Sequence, residues 1–339
     1  MCVTSTGTLP ADLARTVVET AGLAPSIHNT QPWRWRVGST GLDLLADTSR
    51  RLTIADPDGR QLLLSCGAAL LHARLAIRAA GLIPTVTIFP DARDELDGGP
   101  LATIAIRPAA ATQPADPENA TLLAATRHRR TDRRPFDPRP LEPDALRALR
   151  LAAEAEAGWL VSLDDADLRI DTSVLIARAD WLENHDPAYR AELESWSRTS
   201  TDAVDGIPRD VVISSAQPRQ SEFTVRDFNV VGEAGLQLRQ TGVERPMVLL
   251  IGTDSDTPAD RLRAGQAMER VLLTATARGI ATSPLGQAVD LESTRELLRH
   301  SIGGLGHIQM IIRVGYPLPD AETLKATPRR SVDDILRFE

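Results

Sequence analysis

Ser65-Cys66-Gly67-Ala68-Ala69-Leu70-Leu71 opens an apolar helical segment that closes at Ala80-Gly81-Leu82. The pattern returns late in the chain, where Ala264-Gly265-Gln266-Ala267-Met268 opens a segment closing at Arg278-Gly279-Ile280. Gly67 to Gly81 spans 14 positions, and so does Gly265 to Gly279. Both segments are apolar around most of their circumference, as a buried central helix is. Both stop at glycine, which takes the left-handed cap conformation cheaply, and a proline follows soon after, Pro84 and Pro284. Self-similarity of this kind predicts two alike units in one chain.

Working outward, strand-like runs follow at 85–89 and 101–106 in the first half and at 307–314 in the second. An amphipathic helix precedes each central one, about 12–21 and 144–155, with Pro143 suited to a first turn. The second half is about 65 residues longer between these landmarks, which predicts an insertion within 165–235. The segment 107–117 reads as a linker. The expectation is an α+β chain of two tandem repeats, 1–117 with the linker and 118–339 with the insertion. Such a chain imitates a homodimer, so either a monomer of pseudo-dimer architecture or a homodimer is expected.

Composition narrows the function. The 339 residues carry a net charge of −8, with 42% hydrophobic and 25% charged residues, which is ordinary for a packed soluble core. The acidic balance argues against a general nucleic-acid binder. No apolar run approaches the roughly 18 residues of a membrane span. Residues 1–10 lack the basic and apolar regions of a signal peptide. Two cysteines are too few for a disulfide framework, so a reducing cytoplasm is expected. Arginine occurs 37 times and lysine once, so only a local excess of arginine counts as a signal.

Four segments carry candidate chemistry. Ala24-Pro25-Ser26-Ile27-His28-Asn29-Thr30-Gln31-Pro32-Trp33-Arg34-Trp35 sets small polar side chains, able to meet a polar heterocycle, just before a strand. Arg127-His128-Arg129-Arg130-Thr131-Asp132-Arg133-Arg134 has five arginines in eight residues, and guanidinium forks suit a phosphate dianion. Thr327-Pro328-Arg329-Arg330-Ser331 adds a basic pair near the end, and Thr282-Ser283-Pro284-Leu285-Gly286-Gln287 follows the second central helix. Taken singly, each is also what an ordinary loop, solvated basic segment or helix stop looks like. No metal-ligand spacing appears among the six histidines, and no Gly-x-Ser-x-Gly elbow supports a nucleophile beside His28. Gly303-Gly304-Leu305-Gly306 precedes a strand and is not a dinucleotide fingerprint.

The string Pro25-Ser26-x-x-Asn29-x-Gln31-Pro32-Trp33 resembles the flavin-contacting loop of the FMN-dependent nitroreductase family. The tandem arrangement, the Thr30-Gln31-Pro32-Trp33-Arg34-Trp35 wording and Asp205-Gly206-Ile207-Pro208 look like its Acg-type subgroup. In that family two subunits intertwine with FMN at their interface. The resemblance implies FMN contacts from Pro25, Ser26, Ile27, His28, Asn29 and Gln31. Arg129, Thr131 and Arg133 match its Arg-x-Ser-x-Arg phosphate motif, and Arg329 or Arg330 its C-terminal basic residue. Pro284, Leu285 and Gly286 match a Pro-x-Glu-Gly loop near the flavin N5, with Gly286 where relatives carry Glu. The polar loop occurs only in the first half and the arginine segment only with the second, so one FMN per chain is expected. No protein nucleophile or general base is required.

Two functions follow from the resemblance. One is an FMN oxidoreductase passing hydride from NAD(P)H to a small nitroaromatic or quinone-like acceptor. The other is a flavin-sequestering protein with little turnover, in which 186–229, carrying Tyr189, Trp196, Phe223 and Phe228, closes as a lid.

Overall fold

A computed structural model describes residues 9–39, 41–91, 96, 99–109, 116–200, 202–213, 221–228 and 244–339. Parts of the expected linker (110–115), of the expected insertion (201, 214–220 and 229–235) and of the expected lid (201, 214–220 and 229) lie outside these.

Helix α1 (Ala11–Gly22) leads through the polar loop into the hairpin β1 (Trp33–Gly38) and β2 (Gly41–Ala46), followed by α2 (Arg60–Ala79), β3 (Leu82–Ile88) and β4 (Ala102–Pro108). Then come α3 (Pro117–Thr126), α4 (Pro143–Glu154) and β5 (Trp159–Ser162). The insertion supplies α5 (Ala166–His185), α6 (Pro187–Ser195) and the short pair β6 (Ser197–Arg198) and β7 (Ile207–Pro208). The chain resumes with β8 (Met247–Thr253), α7 (Pro258–Ala277), β9 (Ala281–Pro284), α8 (Gln287–Asp290), α9 (Glu292–Ser301) and β10 (His307–Gly315). It ends in α10 (Val332–Ile335) and β11 (Leu336–Phe338).

The sheets run β11-β1-β2-β4-β3 and β5-β8-β10-β9. The architecture is α+β. The C-terminal β11 lies parallel to β1, Leu336 opposite Trp35, so the end of the chain completes the first sheet. Between the sheets α2 and α7, 20 residues each, pack on one another. Their crossing is reciprocal. A Cβ on Gly67 would stand 2.1 Å from the Leu262 carbonyl oxygen, and one on Gly265 would stand 2.1 Å from that of Leu64. Each glycine thus faces the carbonyl three residues before the other, and the two Cα atoms meet with no side chain between them.

The starts of α2 and β3 differ from the sequence reading. α2 begins at Arg60, ahead of the apolar opening at Ser65, because Asp56 caps it from outside: its carboxylate accepts from the Gln61 (2.9 Å) and Leu62 (2.8 Å) amides. Pro84 lies inside β3, which begins at Leu82 ahead of the run expected at 85–89, and Pro284 closes β9; both are edge strands, where a missing N–H is tolerated. The expectation that no segment is apolar enough for a membrane span is corrected by α2, which is so by length and composition but is buried inside the protein along most of its length.

Candidate functional site

The polar loop between α1 and β1 holds three non-glycine residues in the left-handed region: His28 (φ 47°), Asn29 (φ 55°) and Gln31 (φ 49°). Each such conformation costs of order 1–3 kcal/mol and survives only when its surroundings over-determine it. Here they do. Ser26 Oγ accepts from the Gln31 amide at 2.9 Å, and Ser65 Oγ on α2 accepts from the Ile27 amide at 3.3 Å. Gln31 donates through Nε2 to the Val204 carbonyl (2.9 Å), while its Oε1 accepts from the Arg330 amide (2.8 Å). Asn29 donates to the Pro328 carbonyl (3.2 Å) and accepts from Arg329 (3.1 Å). The insertion and the C-terminal tail therefore clamp this loop, and the side-chain bonds of Asn29 and Gln31 run to those segments.

Beside the loop lies a cavity of about 90 Å³ walled by Arg129, Arg130, Thr131, Arg133, Lys325 and Arg329, together with Pro25, Ser26, His28 and Asn29; among the described residues no carboxylate lines it. Pairing of Asp132 N with the Thr282 carbonyl (2.9 Å) fixes the arginine segment against β9. The Nε atoms of Arg129, Arg130 and Arg329 are buried without a hydrogen-bond partner. Burial, then the charges of Arg129 and Arg130, push the Arg329 guanidinium down to about 9. Burial and Arg129 likewise lower Arg130. Crowded, incompletely bonded guanidinium groups of this kind suit a phosphate. Of the arginines in the two basic segments, three do not line this cavity: Arg127 is exposed, Arg134 pairs with Asp132 (2.8 Å), and Arg330 reaches Asp47 and the Gln31 carbonyl, both at 3.3 Å.

A second cavity of about 120 Å³ adjoins the first, sharing Pro25, Ser26, His28, Thr131, Arg133 and Phe228 with it. Its floor is apolar, with Leu64 from α2, Met268 and Leu272 from α7, and Met310 from β10. Ile27, Gln61, Ser65, Pro284 and Gly286 add to its lining, with the charged pair Arg226 and Asp290. Leu285 does not: its side chain is fully buried in a separate core with Val289 and Ile311, and its amide is bonded to the Ile311 carbonyl at 2.8 Å. Gly286 stands where the family motif carries Glu for a visible reason. A Cβ there would lie 2.7 Å from Asp290 Oδ2.

His28 is 7% exposed, and neither ring nitrogen has a partner. Burial, reinforced by Arg226 and Arg133, holds its imidazole well below the ordinary histidine range, so it is neutral. Phe228 of the insertion meets its ring edge-to-face at 5.8 Å and carries the Arg133 guanidinium 4.6 Å over its own ring. Arg226, two residues before, bonds Glu183 on α5 (2.7 Å) and Asp290 (2.9 Å), and Asp290 also receives Arg60 of α2 (2.9 Å). Elsewhere the insertion docks through Asp205, held by Arg50 and Arg198, and through Glu192, which accepts from the Ala55 amide at 2.8 Å.

Of the residues expected at the site, all but Leu285, Gln31 and Arg330 line the two cavities. Sequence reasoning missed Gln61, Ser65, Arg130, Arg226 and Lys325. Arg130 sat inside the recognised arginine run, and Lys325 is the only lysine. Gln61, Ser65 and Arg226 reach the site through packing alone.

The nitroreductase family model matches residues 126–316. A Mycobacterium tuberculosis H37Rv protein, whose name gives NAD(P)H nitroreductase as a provisional assignment, is 36% identical over 332 residues, 97% of this chain and 92% of its own. The acg product of that organism, with the same provisional assignment, is 34% identical over 324 residues, 96% of this chain and 95% of its own. A solved nitroreductase with bound FMN from Desulfitobacterium hafniense shares 14% identity and covers 65% of this chain and 98% of its own, at a TM-score of 0.38. With the family model spanning more than half of it and such relatives matching it almost end to end, the chain belongs to the nitroreductase family.

Proposed function

We propose that this chain is an FMN-dependent NAD(P)H oxidoreductase acting on small nitroaromatic or quinone-like acceptors. The observation that carries this reading is the continuity of an arginine-walled cavity with an apolar one lying between α2 and α7. A cofactor with a phosphate at one end and a flat heterocycle at the other suits that polarity. The buried guanidinium Nε atoms and the absence of a carboxylate among the described residues lining the arginine-walled cavity fit the phosphate. When bound, FMN supplies the redox chemistry, accepting hydride from NAD(P)H and returning electrons to the acceptor. Arg129, Thr131, Arg133 and Arg329 would hold the phosphate. Leu64, Met268, Leu272 and Met310 would bed the ring and keep water from it. His28, neutral and without a protein partner, offers one donor and one acceptor where the cavities meet.

We read α2 and α7 as the central pair of a pseudo-dimer, with both parts of one site coming from a single chain. The counterpart of the polar loop in the second half carries Glu156, whose carboxylate is taken by Arg74 and Arg270. One FMN per chain is the expected stoichiometry.

A second reading has its own support. Phe228 lines both cavities, which are small beside the roughly 300–1,000 Å³ of ordinary cofactor pockets. An insertion closed in this way favours flavin retention over turnover. Anaerobic addition of NAD(P)H to the FMN-loaded protein separates the two: rapid bleaching supports the oxidoreductase, and persistent yellow colour supports the sequestering protein. Loss of all flavin on reconstitution would overturn both.

A further inference from the structure

Behind the arginine wall, at the α2–α7 seam, lies a fully buried hydrogen-bonded pair of polar side chains. His72 on α2 and Glu269 on α7 are both 0% exposed, with His72 Nε2 2.7 Å from Glu269 Oε1. The other ring nitrogen, Nδ1, stands 3.0 Å from the Thr20 carbonyl and must donate to it. Both nitrogens face acceptors, so a proton lies between His72 and Glu269 as well. Glu269 Oε1 is also 3.6 Å from Nε of Arg129, which is buried without a hydrogen-bond partner, and Glu269 Oε2 has none either.

The reciprocal helix crossing provides an internal control. Four residues after Gly265 stands Glu269; four residues after Gly67 stands Leu71. Leu71 is 1% exposed in an apolar cluster with Leu122, Ala125 and Leu273. The same register is thus filled by leucine within an apolar cluster on one helix and, on the other, by a carboxyl group that is hydrogen-bonded to His72 and stands beside Arg129. Burying polar groups carries a desolvation cost that leucine avoids.

We propose that Glu269, oriented by His72, is the positioning residue of the phosphate cradle: it aims Arg129 from behind and balances its charge. This rests on the reading that Arg129 meets a cofactor phosphate. Only the phosphate end should then feel the pair, and riboflavin, which lacks the phosphate, should not.

The test compares FMN and riboflavin binding to the full chain stripped of flavin, in wild type, Arg129→Ala, Glu269→Gln and the double variant. Glu269→Gln should weaken FMN roughly 5- to 20-fold, leave riboflavin within about twofold, and add little to Arg129→Ala. Equal losses for both flavins, or full additivity with Arg129→Ala, would mark a structural role and overturn the proposal. If Arg129→Ala leaves the FMN-to-riboflavin ratio unchanged, the phosphate reading fails and the proposal falls with it. If Arg129→Ala shifts the ratio and Glu269→Gln does not, the proposal alone fails. Should Glu269→Gln not fold, His72→Asn keeps a donor for Thr20 and removes the one to Glu269, and should shift the ratio in the same direction. Failure of both to fold would show that the pair serves the fold, which also overturns the proposal.

Discussion

At the scale of single residues, charge in a poorly solvated pocket dominates. Arg133 lines both cavities and lies over Phe228. Arg133→Ala should therefore weaken FMN by about 1.5–3 kcal/mol, the worth of a charge-assisted hydrogen bond, as read by fluorescence titration. Glu183 makes a pH prediction. Burial, opposed by Arg226, raises its carboxyl from 4.5 to about 7. The folded chain then holds this proton more tightly than the unfolded one, so the contribution is full below about 4.5 and is lost as pH rises to about 7. At most about 3 kcal/mol is involved. His28, held neutral by burial, has the opposite slope below its ordinary 6.5. The Glu183 part is therefore read as the difference between wild type and Glu183→Gln in denaturant midpoints from pH 4.5 to 8. A constant difference across that range would refute it. The arginine run and the Ser26–Asn29 loop were legible at this scale because unusual local composition survives without any knowledge of contacts.

At the scale of elements, the α2–α7 crossing matters most. Gly67 and Gly265 allow two backbones to touch, and a methyl group on either would collide with a carbonyl of the other helix. Gly67→Ala and Gly265→Ala should each cost about 1–3 kcal/mol by thermal or chemical unfolding, as overpacking does. The double variant should cost less than the two added, because both act on one contact. Helices were visible in the sequence through period and glycine stops. Their starts were not: α2 gains its first turn from Asp56, which caps it from just outside the helix, and from Arg60, whose partner Asp290 sits far along the chain. The start of β3 at Leu82, ahead of Pro84, was not visible either, since the edge position that tolerates a proline is a property of the sheet and not of the segment.

At the scale of the whole molecule, the proposed lid role of the insertion can be tested. Excising 186–229 outright would remove Phe223, fully buried in the core with Leu250 and Ile311, so a milder change tests the lid. Phe228→Ala takes away the ring that lines both cavities while leaving the Arg226 bonds to Glu183 and Asp290 intact. FMN release should become about 3- to 10-fold faster as aromatic cover is lost. Anaerobic reduction by NAD(P)H should speed up as well, if the face it shields is the one nicotinamide needs. Unchanged release and reduction in a well-folded variant would remove Phe228 from any gating role.

The sequence by itself determined the central helices, the α+β character, the family resemblance and many of the residues that line the two cavities. These are local signals, carried by spacing, glycine position and clustered charge. Only the tertiary structure decided that Asn29 and Gln31 bond to the insertion and tail, that Leu285 points into another core, and that Arg226 and Phe228 reach the cavities. It alone brought His72 and Glu269, 197 positions apart, within 2.7 Å. The physical reason is common to all of these. Direction and burial of a polar side chain depend on partners supplied from far along the chain, and local pattern carries no record of which partner arrives.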